Sequence, residues 1–224
     1  MELNERVLLS LVAVFVGWLL AQFTNVANDK LKQRKIKKCL LEELDEIESE
    51  LNRTLYSYSR TLQIYALKGV ELTVPLNLTN HIFKNHYKDA VLGLNKPQRI
   101  SFQLIHSHID RINVGIEDLH EIAKSIDKNN QKNDSLSLSD LERWGQKIRA
   151  EFHNVAIVVW HIKHHKKNKH SPSLPIGTET HESYVKYVDM VDKKIESLLK
   201  DAESLDRDKF MKIYNPENFT KNIL

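Results

Sequence analysis

The sequence predicts an all-α protein: an N-terminal single transmembrane helix followed by an antiparallel up-down helical bundle of four long helices and one short one. Three observations predict it. The 224 residues include only six Gly and five Pro, and scarce turn formers leave room for few, long elements. One apolar run, Val7 to Phe23, contains only Ser10 and Gln22 as polar residues. Four later segments carry apolar residues in steps of three and four, the helical repeat of about 3.6. A lone Cys excludes a disulfide scaffold. With 33 basic and 30 acidic residues, net +3, attraction to nucleic acid or anionic lipid must come from local clusters.

The apolar run matches the short end of the roughly 17–25 residues that cross about 30 Å of hydrocarbon. A cleaved secretory signal fits less well. Glu2 and Glu5 sit where a basic leader is needed, and Phe23 stands where the cleavage site requires a small residue. Behind the run lie Lys30, Lys32, Arg34, Lys35, Lys37 and Lys38, opposed by Asp29. Positive-inside logic then keeps the body in the cytoplasm, with the N-terminus outside, at a bacterial inner membrane. These six cations are the expected contact with membrane lipid. Within the span Ala13, Gly17 and Ala21 recur every fourth residue, a small-residue face that lets two helices approach closely and points to self-association.

The first stripe, Ile36, Leu40, Leu44, Ile47, Leu51, Leu55, Tyr58, Leu62 and Tyr65, predicts a helix that continues from the span, with a break near Asn25 to Asn28, and ends at Gly69. Val70 to Leu78, with Pro75, is a connector. A short helix follows over Thr79 to Leu94, stopped by Asn95-Lys96-Pro97. The stripe from Ile105 to Ile126 predicts a helix over Pro97 to Lys128, and Asn129 to Ser137 reads as a loop. Ser139 to Glu142 matches a capping box that starts the next helix. That helix runs to about Lys167, with Val155 to Trp160 apolar all round. Ser171 to Thr178 is a break, Thr180 to Asp206 the last helix, and the tail to Leu224 irregular. The domains are therefore an anchor over 1–28, a cytoplasmic bundle over 29–206 and a tail over 207–224.

Chemistry-bearing motifs are sparse. Glu42, Glu43, Asp45, Glu46, Glu48 and Glu50 fall between stripe positions and are expected to face water. A carboxylate-bridged di-metal core would need Glu-x-x-His on two helices, and only Glu117 to His120 offers one. No metal and no cofactor is expected. His161, Lys163, His164, His165, Lys166, Lys167 and Lys169 form a basic helix terminus or an anion-binding patch. Strict up-down alternation would put this cluster at the tip away from the membrane, beside Gly69 to Leu78.

Arg99 is followed after six residues by His106, which resembles the Arg-x4–6-His pattern of helical-bundle ribonucleases of the HEPN family. The resemblance implies His106 as general acid or base and Arg99 as a stabiliser of phosphate charge. Nine Arg and eleven His give about one such spacing by chance, one is present, and Ile100 stands where the family usually has a polar residue. The reading that leads is a non-enzymatic, membrane-anchored interaction or scaffold module binding a protein partner or its own copy, with nucleic acid not favoured. The alternatives are a toxic effector of the HEPN-like or anti-phage defence kind, and a structural or pore-forming oligomer.

Overall fold

The computed structural model describes residues 2–133 and 136–214. Among them the chain forms six α-helices, one 3-10 turn and no strand: α1 Glu2–Ala66, α2 His81–Ala90, the turn Val91–Gly93, α3 Lys96–Asn133, α4 Leu138–Lys167, α5 Glu179–Ala202 and α6 Arg207–Ile213. The all-α bundle predicted from the stripes is the architecture observed. Leu40, Leu44, Leu51, Leu55, Tyr58 and Leu62 of α1 are fully buried, as are Ile105, Ile109, Ile112, Ile116 and Leu119 of α3 and Trp144, Phe152, Val155 and Val159 of α4. α5 buries Val191, Ile195, Leu198 and Ala202, all in its second half.

α1 shows no break near Asn25 to Asn28; one helix joins the apolar run to the core. Nothing in that stretch removes a backbone donor or adds glycine entropy, so the helix propagates. Its end lies three residues before the expected Gly69. Lys68 takes a left-handed φ of 62°, and the Gly69 amide donates to the Ile64 carbonyl, a closing pattern of the kind that satisfies orphan carbonyls at helix ends.

Each long helix that packs on α4 runs antiparallel to it. On the α3 side Ser101 meets His165, His108 stacks on His161, and Lys147 pairs with Asp118. On the α1 side Lys166 pairs with Asp45 and Glu48, and Tyr65 packs at Gly145. Across α5, Trp160 meets Tyr184 and His153 meets Asp192. α1, α3 and α5 therefore share one direction and α4 opposes them. The consecutive pair α1 and α3 is parallel because residues 67–80 carry the chain back along α3. Leu78 donates to the Asn113 side chain at 2.8 Å and accepts from it at 3.0 Å, while Asn77 reaches Glu117 and Asn80 reaches Asp110. Fourteen extended residues cover about 45 Å, enough to retrace the roughly 35 Å of α1 between Ala66 and Glu43.

This return overturns the expected position of the His/Lys cluster. The C-terminal end of α4 lies at the end of the bundle nearer the apolar run, here called the near end, and Gly69 to Leu78 begin at the far end.

Further boundaries differ. α3 runs on to Asn133, through the start of the loop expected over Asn129 to Ser137, and α5 stops at Ala202, short of Asp206. Ser137, and not Ser139, caps α4: its side chain accepts from the Asp140 amide at 3.1 Å. A short helix, α6, lies in the expected irregular tail because its side chains find the far end of α1. Tyr56 donates to the Ile213 carbonyl at 2.7 Å, Tyr214 bonds Gln63, and Arg60 lies over the Phe210 ring. The rest of the tail, 215–224, lies outside the described residues.

Candidate functional site

The near end gathers residues from five elements around α1. Asp89 of α2 pairs with Lys32 at 3.1 Å, and Gly93 sits against the Gln33 side chain. The start of α3 is built as a reciprocal cap: the Asn95 amide donates to Gln98 Oε1 and the Gln98 amide to Asn95 Oδ1, each at 3.0 Å. The same two side chains reach the loop after α4. Asn95 Nδ2 donates to the His170 carbonyl at 2.7 Å and Gln98 Nε2 to the Lys169 carbonyl at 2.6 Å. Gln98 is buried, so this clamp is a fixed joint between two loops distant in sequence. A mainly apolar cleft of about 490 Å³ lies beside it, lined by Pro97, Ile100, Leu104, His164 and Leu174 among others.

The six cations that follow the apolar run lie on an exposed part of α1. Lys30, Arg34 and Lys35 are exposed, Lys32 and Lys38 are held by Asp89 and Glu42, and Lys37 is half-buried. Ala13, Gly17 and Ala21 are exposed, and no atom lies within 4 Å of the position a Gly17 Cβ would take. The small face is thus open along its length.

The His/Lys cluster is divided by the fold. His161 and His165 are buried; His165 Nδ1 lies 2.8 Å from Ser101 Oγ and its ring packs on Phe102. Burial lowers both imidazole pKa values to about 4, with His108 and His164 adding for His161, and His164 and Lys37 for His165. Lys166 is engaged by Asp45 and Glu48. Lys167 and Lys169 stay exposed and Lys163 half-exposed, with Glu179 at the same surface hollow as Lys163 and Lys167.

His106 lies deep in the bundle. Its ring stacks on Phe83 with centroids 3.7 Å apart, and Nε2 is 4.0 Å from Glu43 Oε2. Neither ring nitrogen has a hydrogen-bond partner, and burial lowers its pKa to about 3. Arg99 is half-exposed two turns earlier, and no polar contact joins the two side chains. The ring is neutral and covered, so this arrangement offers phosphate no protonated imidazole at neutral pH.

Sequence reasoning missed Glu43. Expected in water, it is buried, and its carboxylate accepts from the Ile82 amide at 2.6 Å and the Phe83 amide at 2.9 Å, fixing the start of α2. Burial raises its pKa, against the lowering effect of those two amides. The signal was present: Glu43 is three residues after Leu40 and four before Ile47, on the stripe face. Glu151 repeats this between Ile148 and Val155, buried against Gly115 and paired with Lys147 at 3.1 Å.

No group of three or more His, Cys, Asp or Glu able to hold a metal occurs among the described residues. No protein-family model, curated protein or solved structure matches the chain. The functional reading therefore rests on geometry.

Proposed function

We propose that the chain is a single-pass, membrane-anchored protein of the bacterial inner membrane whose cytoplasmic helical bundle is a non-enzymatic interaction module, holding a protein partner or a second copy at the bilayer. The observation that carries this reading is the continuity of α1. The helix is long and apolar enough to cross a membrane, none of its residues from Leu8 to Phe23 is buried, and the same helix supplies the central core residues from Leu40 onward. Exposed Leu, Val, Phe and Trp in such number cost about 25 cal/mol per Å² in water, and a bilayer removes that cost. The cations that follow, Lys30 to Lys38, complement anionic head groups.

Two observations favour binding over catalysis. The polar core is used for packing and capping, as Glu43 and His106 illustrate. The first half of α5 leaves Val185 and Met190 exposed, two apolar side chains open to a partner. The open Ala13, Gly17 and Ala21 face favours the bundle's own copy as one such partner.

Photo-crosslinking in cells, from residues placed at Val185 and Met190, tests the reading. It predicts one adduct of defined size that disappears when the apolar run is replaced by a polar helix. Adducts indifferent to anchoring, or none from either position, contradict it.

A further inference from the structure

We infer that the near end of the bundle is a second lipid-binding surface, in which Lys88, Lys96 and Lys169 with the exposed Leu92 face the anionic head groups of the same bilayer. The inference rests on the anchor reading and adds to it residues far from Lys30 to Lys38 in sequence.

Distance comes first. Asp89 and Gly93 sit at the level of Lys32 and Gln33, about ten residues beyond Phe23, or about 15 Å along the helix. The head-group layer occupies roughly 5–8 Å of that on each side of the bilayer. What remains is about one Debye length, roughly 8 Å at physiological salt, so charges on this surface still feel the lipid phosphates, at roughly a third of the unscreened potential.

Charge agrees. Lys88, Lys96 and Lys169 are exposed and come from α2, the start of α3 and the loop after α4. Most carboxylates of neighbouring elements are paired: Asp89 is taken by Lys32, Asp110 by Lys84, and Glu42 by Lys38, which leaves the exposed Asp29 of α1 as an opposing charge. Glu179 lies at the hollow shared with Lys163 and Lys167, which is why those two lysines are left out of the surface.

Rigidity is the third point. The Asn95 and Gln98 clamp ties the Lys169–His170 backbone to the first turn of α3, holding Lys96 and Lys169 on one face. Leu92, 82% exposed on the turn between α2 and α3, supplies an apolar tip beside them.

The test is amide hydrogen exchange on the full chain in nanodiscs of phosphatidylcholine, with and without phosphatidylglycerol. The expected result is that residues 91–96 and 168–174 exchange about fivefold more slowly in the anionic discs, with the far end unchanged, and that Lys88→Glu/Lys96→Glu/Lys169→Glu abolishes the difference. Equal exchange in both lipids, or protection retained in the charge-reversed variant, overturns it. Protection by a short RNA added to the neutral discs, without any from anionic lipid, would overturn it in favour of nucleic acid. A chain that resists carbonate extraction yet shows no lipid dependence defeats this inference alone; a chain that carbonate releases defeats the anchor as well.

Discussion

Lys166 Nζ lies 2.8 Å from Glu48 Oε2, joining the last turn of α4 to the first third of the packed part of α1. Asp45 shares the same ammonium. Both carboxylates favour the charged amine, against its partial burial, and hold its pKa above the usual lysine value. The contact reports the direction of the whole bundle, since α4 can reach Glu48 with its C-terminal end only if it returns toward the apolar run.

Lys166→Glu should therefore loosen the near end. It replaces two attractions by two repulsions at a half-exposed site, a loss of about 1–2 kcal/mol, and lowers Tm in detergent by roughly 3–6 °C. Adding Glu48→Lys should recover part of it. A Tm unchanged by the single variant contradicts the pairing.

Glu43→Ala removes the acceptor for two amides at the start of α2. The expected loss is about 1–3 kcal/mol. Hydrogen exchange should show it first at residues 82–90, with the middle of α3 and α4 protected as before. Uniform loss of protection along the chain would mean that Glu43 supports the core and not that helix.

Acid should destabilise the body through its buried imidazoles. His106, His161 and His165 titrate near 3, 4 and 4 in the fold against 6.5 unfolded, so the unfolded chain binds protons that the native one refuses. Their effect is absent well above pH 6.5, sets in as pH falls through 6.5 and grows toward 4, reaching about 2 kcal/mol for each group near pH 5. Glu43, raised by burial, works in the opposite sense and offsets part of the loss. Tm followed against pH should fall over this window, and His165→Gln should flatten the slope. A Tm independent of pH between 7 and 5 contradicts the burial of these rings.

Gly145 tests the packing of α1 on α4. A Cβ there would lie 2.3 Å from the Tyr65 ring, so Gly145→Ala must displace the ring and should cost about 1–3 kcal/mol, with Tyr65→Ala restoring most of it. Gly145→Ala as stable as the parent would contradict the contact.

The helices were legible because their apolar residues keep one period over many turns: the stripe of α3 is buried from Ile105 to Ile126. Direction was not legible. Nothing in the composition of Val70 to Leu78 says that it runs back along α3, since that depends on Asn113 presenting a donor and an acceptor to Leu78, a pairing of residues 35 apart. The same gap misplaced the His/Lys cluster. Glu43, Glu151 and His106 were readable in principle, for each falls on a stripe face. The capping of α3 by Asn95 and Gln98 is local, whereas their grip on Lys169 and His170 is tertiary and leaves no mark in the sequence.

The central claim is that α1 crosses the bilayer and leaves the bundle on the cytosolic side. Protease added to the outside of spheroplasts, followed by carbonate washing of the membranes, tests it most directly. The account predicts a membrane-retained fragment that keeps every residue from Asp29 onward intact. Digestion of the bundle from outside, or its release by carbonate, would contradict it.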